Sequence, residues 1–386
     1  MRHIHIARLA ALLFFLATIV ASITRAQSSE TKPQTAKLRV DPNGSVPTTA
    51  PAGTPAPTKR NVLLRHIQFV TVDSIAHYRY VDSAEGKVGT RDLFYKLSTR
   101  VQVNLWGDGK TYLQARGESG RSLAASYDYT GAGLHEAYWS FNLKSLFVGQ
   151  KLGKHLEAQV GGVEFDQGAG TEATYADNDA WLEGYRLRYT GLGHKGLPDK
   201  VSVTVGYIGD FLQPNVFARF PRMGDENYIQ VMASRKLGTG RELSAEFDSI
   251  QRIRYTREAF RWQKLPVPVV QDLSLETMIR ASDNPTFGWS GSLFRSLERK
   301  GRARLGAFYS DMPMGIFLKG QQQVLLNGDS YVLGKRIGPV AKVTPFKDFE
   351  ISLFGSKRLD NTPGTRYRGQ IAVRYQLASL FNRALK

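Results

Sequence analysis

The stretch YKLSTRVQVNL, from Tyr95 to Leu105, decides the fold because its side chains alternate strictly between two kinds. One face carries Tyr95, Leu97, Thr99, Val101, Val103 and Leu105, and the other carries Lys96, Ser98, Arg100, Gln102 and Asn104. A period of two is typical of a β-strand with one apolar and one polar face. The segment from Tyr367 to Leu377 repeats this pattern near the end of the chain.

Similar alternation recurs along the chain, in segments of the length that a tilted strand needs to cross a bilayer. These segments are 64–82, 110–119, 135–149, 156–166, 180–190, 199–209, 227–237, 241–254, 271–281, 286–297, 301–311, 330–344 and 348–358. With the two stretches above they make fifteen, whereas a bacterial single-chain barrel needs an even number. The turn signal Asn327-Gly328 indicates one more strand at 316–326. The sequence therefore predicts an all-β fold, a transmembrane antiparallel up-and-down barrel of about sixteen strands, with fourteen as the alternative.

The connections predict the same architecture. Short turns at Gly107-Asp108-Gly109, Gly238-Thr239-Gly240 and Asp283-Asn284-Pro285 alternate with long connections near 119–134, 166–179, 210–226 and 255–270. Outer-membrane barrels have short periplasmic turns and long outer loops.

Composition and the N-terminus indicate export. Residues 1–26 have a basic start, an apolar run and small residues before Gln27, as in a secretory signal peptide. Residues 27–60 are rich in Pro and Thr and predict a disordered periplasmic segment. The barrel is expected at 61–377, and a short tail at 378–386, where the apolar spacing predicts an amphipathic helix. The chain contains no cysteine, which excludes disulfides, zinc–thiolate sites and thiol catalysis.

A formal net charge of +18 sets the expected partners. Export makes nucleic acid a poor partner for this charge, so small anionic solutes and outer-membrane lipid or lipopolysaccharide are expected instead. The barrel-assembly machinery is a further expected partner. The C-terminus departs from the usual terminal aromatic residue, since Tyr375 and Leu377 are followed by nine more residues. The expected location is the bacterial outer membrane, and the oligomeric state stays open.

The apolar face is predicted to point outward. A ring of fourteen or more strands is too wide to fill with side chains, so its interior holds water or a plug. The polar faces carry many cations, and each would cost about 2–4 kcal/mol in mid-membrane lipid. Aromatic residues near strand ends fit interfacial girdles. They are Trp106, Trp139, Trp181, Tyr189, Trp289, Tyr309 and Tyr375.

Charged residues on the polar faces are the candidate pore-lining residues. The set is Lys96, Arg100, Arg116, Arg186, Arg188, Glu246, Asp248, Arg252, Arg254, Glu276, Arg280, Arg302, Arg304, Arg366, Arg368 and Arg374. The only clear acids are Glu118, Glu246, Asp248 and Glu276, with Glu242 and Asp272 near strand ends, so cations dominate and the predicted lumen attracts anions. An acidic wall facing a basic one would create a transverse field. The alternative, pairing of these charges across strands for stability, stays open.

One hairpin resembles those of a known group of channels. LEAQVGGVEFDQG, from Leu156 to Gly168, is followed by a loop and by WLEGYRLRY, from Trp181 to Tyr189. This is similar to a hairpin in the alginate-export-like outer-membrane channels. The resemblance implies passage of anionic sugars or of an acidic polysaccharide, with Arg186 and Arg188 as the matching lumen residues.

Several other motifs carry little chemistry. The glycine pattern from Gly191 to Gly196 is followed by Leu197-Pro198 and a β pattern, so it predicts a turn rather than a dinucleotide site. No cofactor is expected. Glu172, Asp177 and Asp179 are weak metal candidates, and a solvated acidic loop is the favoured interpretation. The predicted function is a porin-like channel and not an enzyme. A non-conducting adhesion or anchoring scaffold is the alternative, and an outer-membrane hydrolase is a weaker one.

Overall fold

The fold is described from a computed structural model, which covers fourteen parts of the chain. They are residues 66–83, 88–106, 108–121, 142–169, 171, 182–191, 197–208, 216–267, 269–281, 284–297, 302–313, 316, 334–361 and 365–385. The predicted signal peptide and the Pro/Thr-rich segment lie outside these residues, as does almost all of 316–326. No helix in the covered parts is long and apolar enough to cross a membrane.

Sixteen antiparallel strands form one closed barrel. They are β1 Ile67–Ser83, β2 Val88–Asn104, β3 Thr111–Arg121, β4 Asn142–Lys151, β5 Leu156–Val163, β6 Leu182–Thr190, β7 Lys200–Ile208, β8 Tyr228–Lys236, β9 Arg241–Ile250, β10 Ile253–Gln263, β11 Asp272–Arg280, β12 Thr286–Ser296, β13 Ala303–Met312, β14 Gly334–Phe346, β15 Phe349–Arg358 and β16 Thr365–Gln376. Each strand pairs with its neighbours in sequence, and β1 pairs with β16 to close the ring. The predicted fold class and strand number are confirmed.

The sixteenth strand is not the one that the sequence indicated. β13 pairs directly with β14, from Ala303 opposite Val343 to Met312 opposite Gly334, so no further barrel strand lies between these two. The strand that the pattern missed is β10, which occupies much of the connection predicted at 255–270. The predicted strand 241–254 ends at Ile250, and the two residues Gln251 and Arg252 make the turn into β10.

The apolar face points outward, as predicted. Leu97, Val203, Phe247 and Leu293 each expose more than a third of their surface on the outer wall, while the residues on either side of them in the strands face the interior. We call the end of the barrel where β1 begins and β16 ends the proximal end, and the opposite end the distal end.

Aromatic side chains mark both ends of the wall. Trp106, Tyr189 and Tyr375 lie at the proximal end. Trp289 and Tyr309 lie at the distal end, with ring centroids 5.1 Å apart. Two rings from the predicted girdles, Trp139 and Trp181, lie outside the described residues.

Connections at the two ends differ in length. At the distal end, β3–β4, β5–β6, β7–β8 and β13–β14 are joined by long connections, whereas every proximal connection has nine residues or fewer. Three of these long connections were predicted, near 119–134, 166–179 and 210–226. The fourth is the one between β13 and β14, and not 255–270.

One short segment of the β7–β8 connection packs on the outside of the barrel. It comprises the helix α1, Val216–Arg219, and the 3-10 turn Phe220–Arg222. Arg219 pairs with Glu183 of β6 at 3.4 Å, and both side chains are fully buried. Glu183 shares the outer face with Tyr185, since side chains alternate along β6. The segment therefore covers a charged residue that would otherwise lie on the outer wall.

The predicted C-terminal helix is present as α2, Ala378–Ala384. It packs on the outer face of β1, where the rings of Phe69 and Phe381 lie 5.1 Å apart. The side-chain amide of Asn382 accepts a hydrogen bond from the backbone N–H of Phe69 at 2.9 Å and donates one to its carbonyl at 2.8 Å. β1 extends past the end of β16 here, so Asn382 satisfies backbone groups that have no strand partner on that side.

One ionisable residue stands out on the outer wall. Glu258 is the sixth of the eleven residues of β10, faces outward between Ala245 of β9 and Thr277 of β11, and is exposed. Among the strands as described, the other outward-facing charged residues lie near strand ends or under α1.

Candidate functional site: a charged segment inside the barrel

Residues 164–169, directly after β5, fold into the interior of the barrel, and we call them the inner segment. Phe165 packs edge-on against the ring of Tyr228 at 5.4 Å. The amide of Gln230 donates to the carbonyl of Asp166 at 3.0 Å, and the hydroxyl of Ser244 donates to that of Ala169 at 2.9 Å. The inner segment therefore crosses from β5 to the inward faces of β8 and β9.

Glu164 holds the inner segment to β2 and β3. It pairs with Arg100, and its other oxygen accepts from Arg116 at 2.9 Å. Arg116 also pairs with Glu118 at 2.5 Å, and Lys96 lies 3.8 Å from the same carboxylate. Burial alone would raise the pKa of Glu164, but the two arginines outweigh it and hold that pKa at about 2.

Asp166 holds the inner segment to β6 and β7. It lies 3.3 Å from Arg188 and 2.5 Å from Lys200. Burial again raises its pKa, yet Arg188, Arg186 and Lys200 together bring it down to about 2. Both acids of the inner segment are therefore charged at neutral pH and fixed by cations of the wall.

Arg186 is fixed through neutral partners. Its guanidinium donates to the hydroxyl of Thr204 at 2.9 Å, to the amide oxygen of Gln159 at 3.2 Å and to the backbone carbonyl of Glu164. The side chain is buried. This cation therefore keeps one position and contributes a fixed positive charge beside the inner segment.

Two of the three acids of β9 are paired with a cation. Arg257 of β10 lies 2.5 Å from Asp248 and 3.2 Å from Glu246, and all three side chains are buried. Tyr228 donates to Asp248 at 3.1 Å. The sequence left two interpretations open for Glu246 and Asp248: pairing across strands for stability, or an unpaired acidic wall. The contacts with Arg257 favour pairing.

Alternation along the strands places most of the predicted pore-lining residues on the inward face. They are Lys96, Arg100, Arg116, Arg186, Arg188, Glu246, Asp248, Glu276, Arg280, Arg304, Arg366, Arg368 and Arg374. Arg302 directly precedes β13 at the proximal end.

Two of the predicted pore-lining residues do not lie on the inward face. Arg252 occupies the turn after β9, with a φ of 73°. Arg254 lies opposite Ser249 on the outer face of β10. The cause is the strand boundary, because the turn at Gln251 and Arg252 changes which residues face inward.

The inward face also carries charged residues that sequence reasoning missed. Besides Arg257 they include Arg336 of β14 and Arg358 of β15, which lie directly opposite each other, with Arg336 donating to the hydroxyl of Ser356 at 3.2 Å. Both could have been found from the alternation with the outward residues Ile337 and Leu353. Glu164 and Asp166 gave no periodic signal, because they follow the strand.

No metal site is apparent in the described parts of the chain, where no three His, Cys, Asp or Glu side chains come together. The weak candidates Glu172, Asp177 and Asp179 lie outside the described residues.

Comparison with known proteins gives a limited result. No family model and no curated protein matches the chain. Among solved structures, engineered variants of the porin of Rhodopseudomonas blastica match with TM-scores of 0.47, 10% identity, and coverage of 80% of this chain and 99% of theirs. A structure described as "Asymmetric conductivity of engineered proteins" matches with a TM-score of 0.48, 11% identity and the same coverage. These values carry no conclusion about function, and the resemblance to alginate-export-like channels stays a prediction from the sequence.

Proposed function

We propose that the chain is a channel of the bacterial outer membrane through which small hydrophilic solutes, preferentially anions, diffuse passively. One observation carries the proposal: a closed ring of sixteen strands has an apolar outer wall and an inner wall with many charged side chains. In a bilayer every backbone polar group must be paired, and a closed barrel meets that requirement. The expected surroundings are outer-membrane lipid and lipopolysaccharide.

Anion preference is supported by the basic residues of the inner wall. Arg336 and Arg358 face each other on β14 and β15, and Arg368 follows on β16. A pore with more cationic than anionic groups on its inner wall concentrates anions and repels cations. Around the inner segment, Glu164 and Asp166 neutralise part of this potential.

Planar-bilayer recording tests both parts of the proposal. We expect stable open currents in KCl, and under a KCl gradient a reversal potential of the sign that chloride permeation produces. Absence of current would refute the channel and favour an outer-surface scaffold. A reversal potential of zero, or of the opposite sign, would refute the anion preference alone.

A matched pair of variants locates the source of the preference. Arg336→Gln removes a charge from the inner wall, whereas Lys335→Gln removes the same charge one residue away, on the outer face, where the side chain is about half exposed. We expect the first to move the reversal potential toward zero and the second to leave it unchanged. Equal shifts would contradict the assignment of Arg336 to the conducting lumen.

A further inference from the structure

Exposed apolar side chains cover the outer surface at the proximal end, around α2 and the turn from β14 to β15. Phe346, at this turn, is 70% exposed, and Tyr375, Leu380 and Phe381 are each more than a third exposed. The rings of Phe346, Phe349 and Tyr375 form a row, with successive centroids 6.1 and 6.2 Å apart. We call these five residues the proximal patch. Its apolar surface continues the lipid-facing wall onto a helix, which is the arrangement of an interfacial amphipathic helix.

Hydrogen bonds hold α2 against the turn, so the proximal patch is one continuous surface. The hydroxyl of Ser379 on α2 donates to the carboxylate of Asp348 at 3.2 Å. The backbone N–H of Gln376, at the end of β16, donates to the backbone carbonyl of Asp348 at 2.7 Å. On its other side, α2 packs its Phe381 ring on Phe69 of β1, as described above. The helix therefore lies along the wall with Leu380 and Phe381 still partly exposed.

Two exposed cations border the proximal patch, Lys347 and Arg383. Lys347 directly precedes Asp348, and Arg383 donates to the backbone carbonyl of Ser379 at 3.3 Å. Because Asp348 and Ser379 are hydrogen-bonded to each other, both cations lie at the junction of the turn and α2. Among the described residues, neither cation forms an ion pair with an acid. Asp348 offsets part of their charge, and the junction keeps a net positive charge.

The position of this surface along the barrel indicates which molecules can contact it. Short connections mark the periplasmic side of outer-membrane barrels, and the proximal connections are the short ones. At the boundary between acyl chains and headgroups, apolar side chains face the acyl chains and cations face the phosphate groups. The proximal patch and its two cations have these two chemistries side by side.

We propose that the proximal patch, with Lys347 and Arg383, binds anionic phospholipid of the periplasmic leaflet. The two cations contact the headgroup phosphate, and the acyl chains lie against Phe346, Leu380 and Phe381. This inference rests on the proposed membrane location and goes beyond the channel, since it does not depend on conduction. A cation beside an anionic bilayer surface strengthens such a contact by about fivefold.

The test measures which lipid lies next to α2 in the full-length protein. Because the chain contains no cysteine, Leu380→Cys carries the only label, an environment-sensitive fluorophore. The labelled protein is placed in phosphatidylcholine vesicles that contain equal amounts of either brominated phosphatidylglycerol or brominated phosphatidylcholine, and quenching by each lipid is compared. We expect phosphatidylglycerol to associate at this position about fivefold more strongly. At about 1 M KCl this preference should fall, because the screening length shortens to about 3 Å.

A matched pair of double variants assigns the preference to the two cations. Lys347→Gln, Arg383→Gln in the labelled protein should bring the preference for phosphatidylglycerol close to one. Lys335→Gln, Lys357→Gln removes two charges from the outer face of β14 and β15 at the distal end, and should leave the preference at position 380 unchanged. Heat-modified electrophoretic mobility checks that both double variants fold.

The outcomes separate the lipid contact from the channel. Equal quenching by the two brominated lipids, or equal loss of preference in both double variants, would overturn the binding surface. Weak quenching by both lipids would also overturn it, since another protein chain would then cover α2. Planar-bilayer currents are recorded on the same preparation. A KCl current without the lipid preference refutes the surface alone, and the preference without a current supports the surface and refutes the channel.

Discussion

Arg257 offers the sharpest test of how the inner wall is stabilised. Its guanidinium lies 2.5 Å from Asp248 and 3.2 Å from Glu246, and the three side chains are each at most 3% exposed. Arg257→Met keeps much of the volume but leaves two carboxylates close together without their cation. Removing one partner of a buried ion pair costs about 3–5 kcal/mol. We therefore expect the free energy of unfolding to fall by about that amount.

The measurement is equilibrium unfolding by urea in lipid vesicles, followed by tryptophan fluorescence. The triple variant Arg257→Met, Glu246→Gln, Asp248→Asn replaces all three ionisable side chains by neutral ones and should regain most of the loss, because no buried carboxylate is then left without its cation. Arg261→Met, four residues further on the same face of β10, is the control and should cost less than 1 kcal/mol.

Two results would refute this reasoning. A loss below 1 kcal/mol in Arg257→Met would show that water, and not Arg257, compensates the two acids. A triple variant no more stable than the single one would show that the loss comes from packing rather than from charge. Either result would contradict the interpretation that Glu246 and Asp248 are paired with Arg257 for stability, and would favour the unpaired acidic wall.

Three further predictions follow from the barrel wall and the inner segment. Asn382→Ala should lower the free energy of unfolding, measured by the same urea titration, by about 1–3 kcal/mol, because two hydrogen bonds to Phe69 are lost. The control Arg383→Ala, on the exposed side of α2, should have little effect. Glu258→Leu should raise the free energy of unfolding from vesicles by roughly 1–2 kcal/mol, because it removes a carboxylate from the lipid-facing wall; a decrease would show that this face contacts another chain. Because the pKa values of Glu164 and Asp166 lie at about 2, below the ordinary values of 4.5 and 3.8, their contribution to holding the inner segment is complete above about pH 4.5 and is lost as the pH falls toward 2. The difference in single-channel conductance between the protein and its Glu164→Gln, Asp166→Asn variant should therefore stay constant from pH 7 to about 4.5 and diminish only below that. Loss of this difference above pH 4.5 would contradict the ion pairs.

Alternation predicted the fold because most strands separate apolar from polar side chains. The pattern did not predict β10, because neither face of this strand is uniformly apolar or uniformly polar. Its outward face mixes Thr256 and Glu258 with Phe260, and its inward face mixes Tyr255 with Arg257. The turn before it also lacks the usual signal, since Gln251 and Arg252 adopt φ values of 49° and 73° without Gly or Asn. The strand number was right although one of the sixteen was placed wrongly.

The inner segment could not be predicted from periodicity at all. A loop that folds into a barrel buries few apolar side chains and leaves no periodic pattern. What marks it is charge: Glu164 and Asp166 follow a strand and lie among the cations of β2, β3, β6 and β7. Such complementarity becomes visible only when the strands are in register, because Arg100 and Glu164 are far apart in sequence. The contact between Glu183 and Arg219 could not be predicted either, because these two residues are also far apart in sequence.

Ion pairs therefore hold both the inner segment and α1, although the surroundings of these two segments differ greatly in polarity. The inner segment is held in part by an ion pair with partial access to solvent, that of Arg100 and Glu164, each with about a quarter of its side chain exposed. Salt and low pH can weaken such contacts. The pair of Glu183 and Arg219 on the outer wall is fully buried, so salt screens it much less. Salt in the medium can therefore weaken a contact that holds the inner segment, whereas it screens the contact under α1 much less.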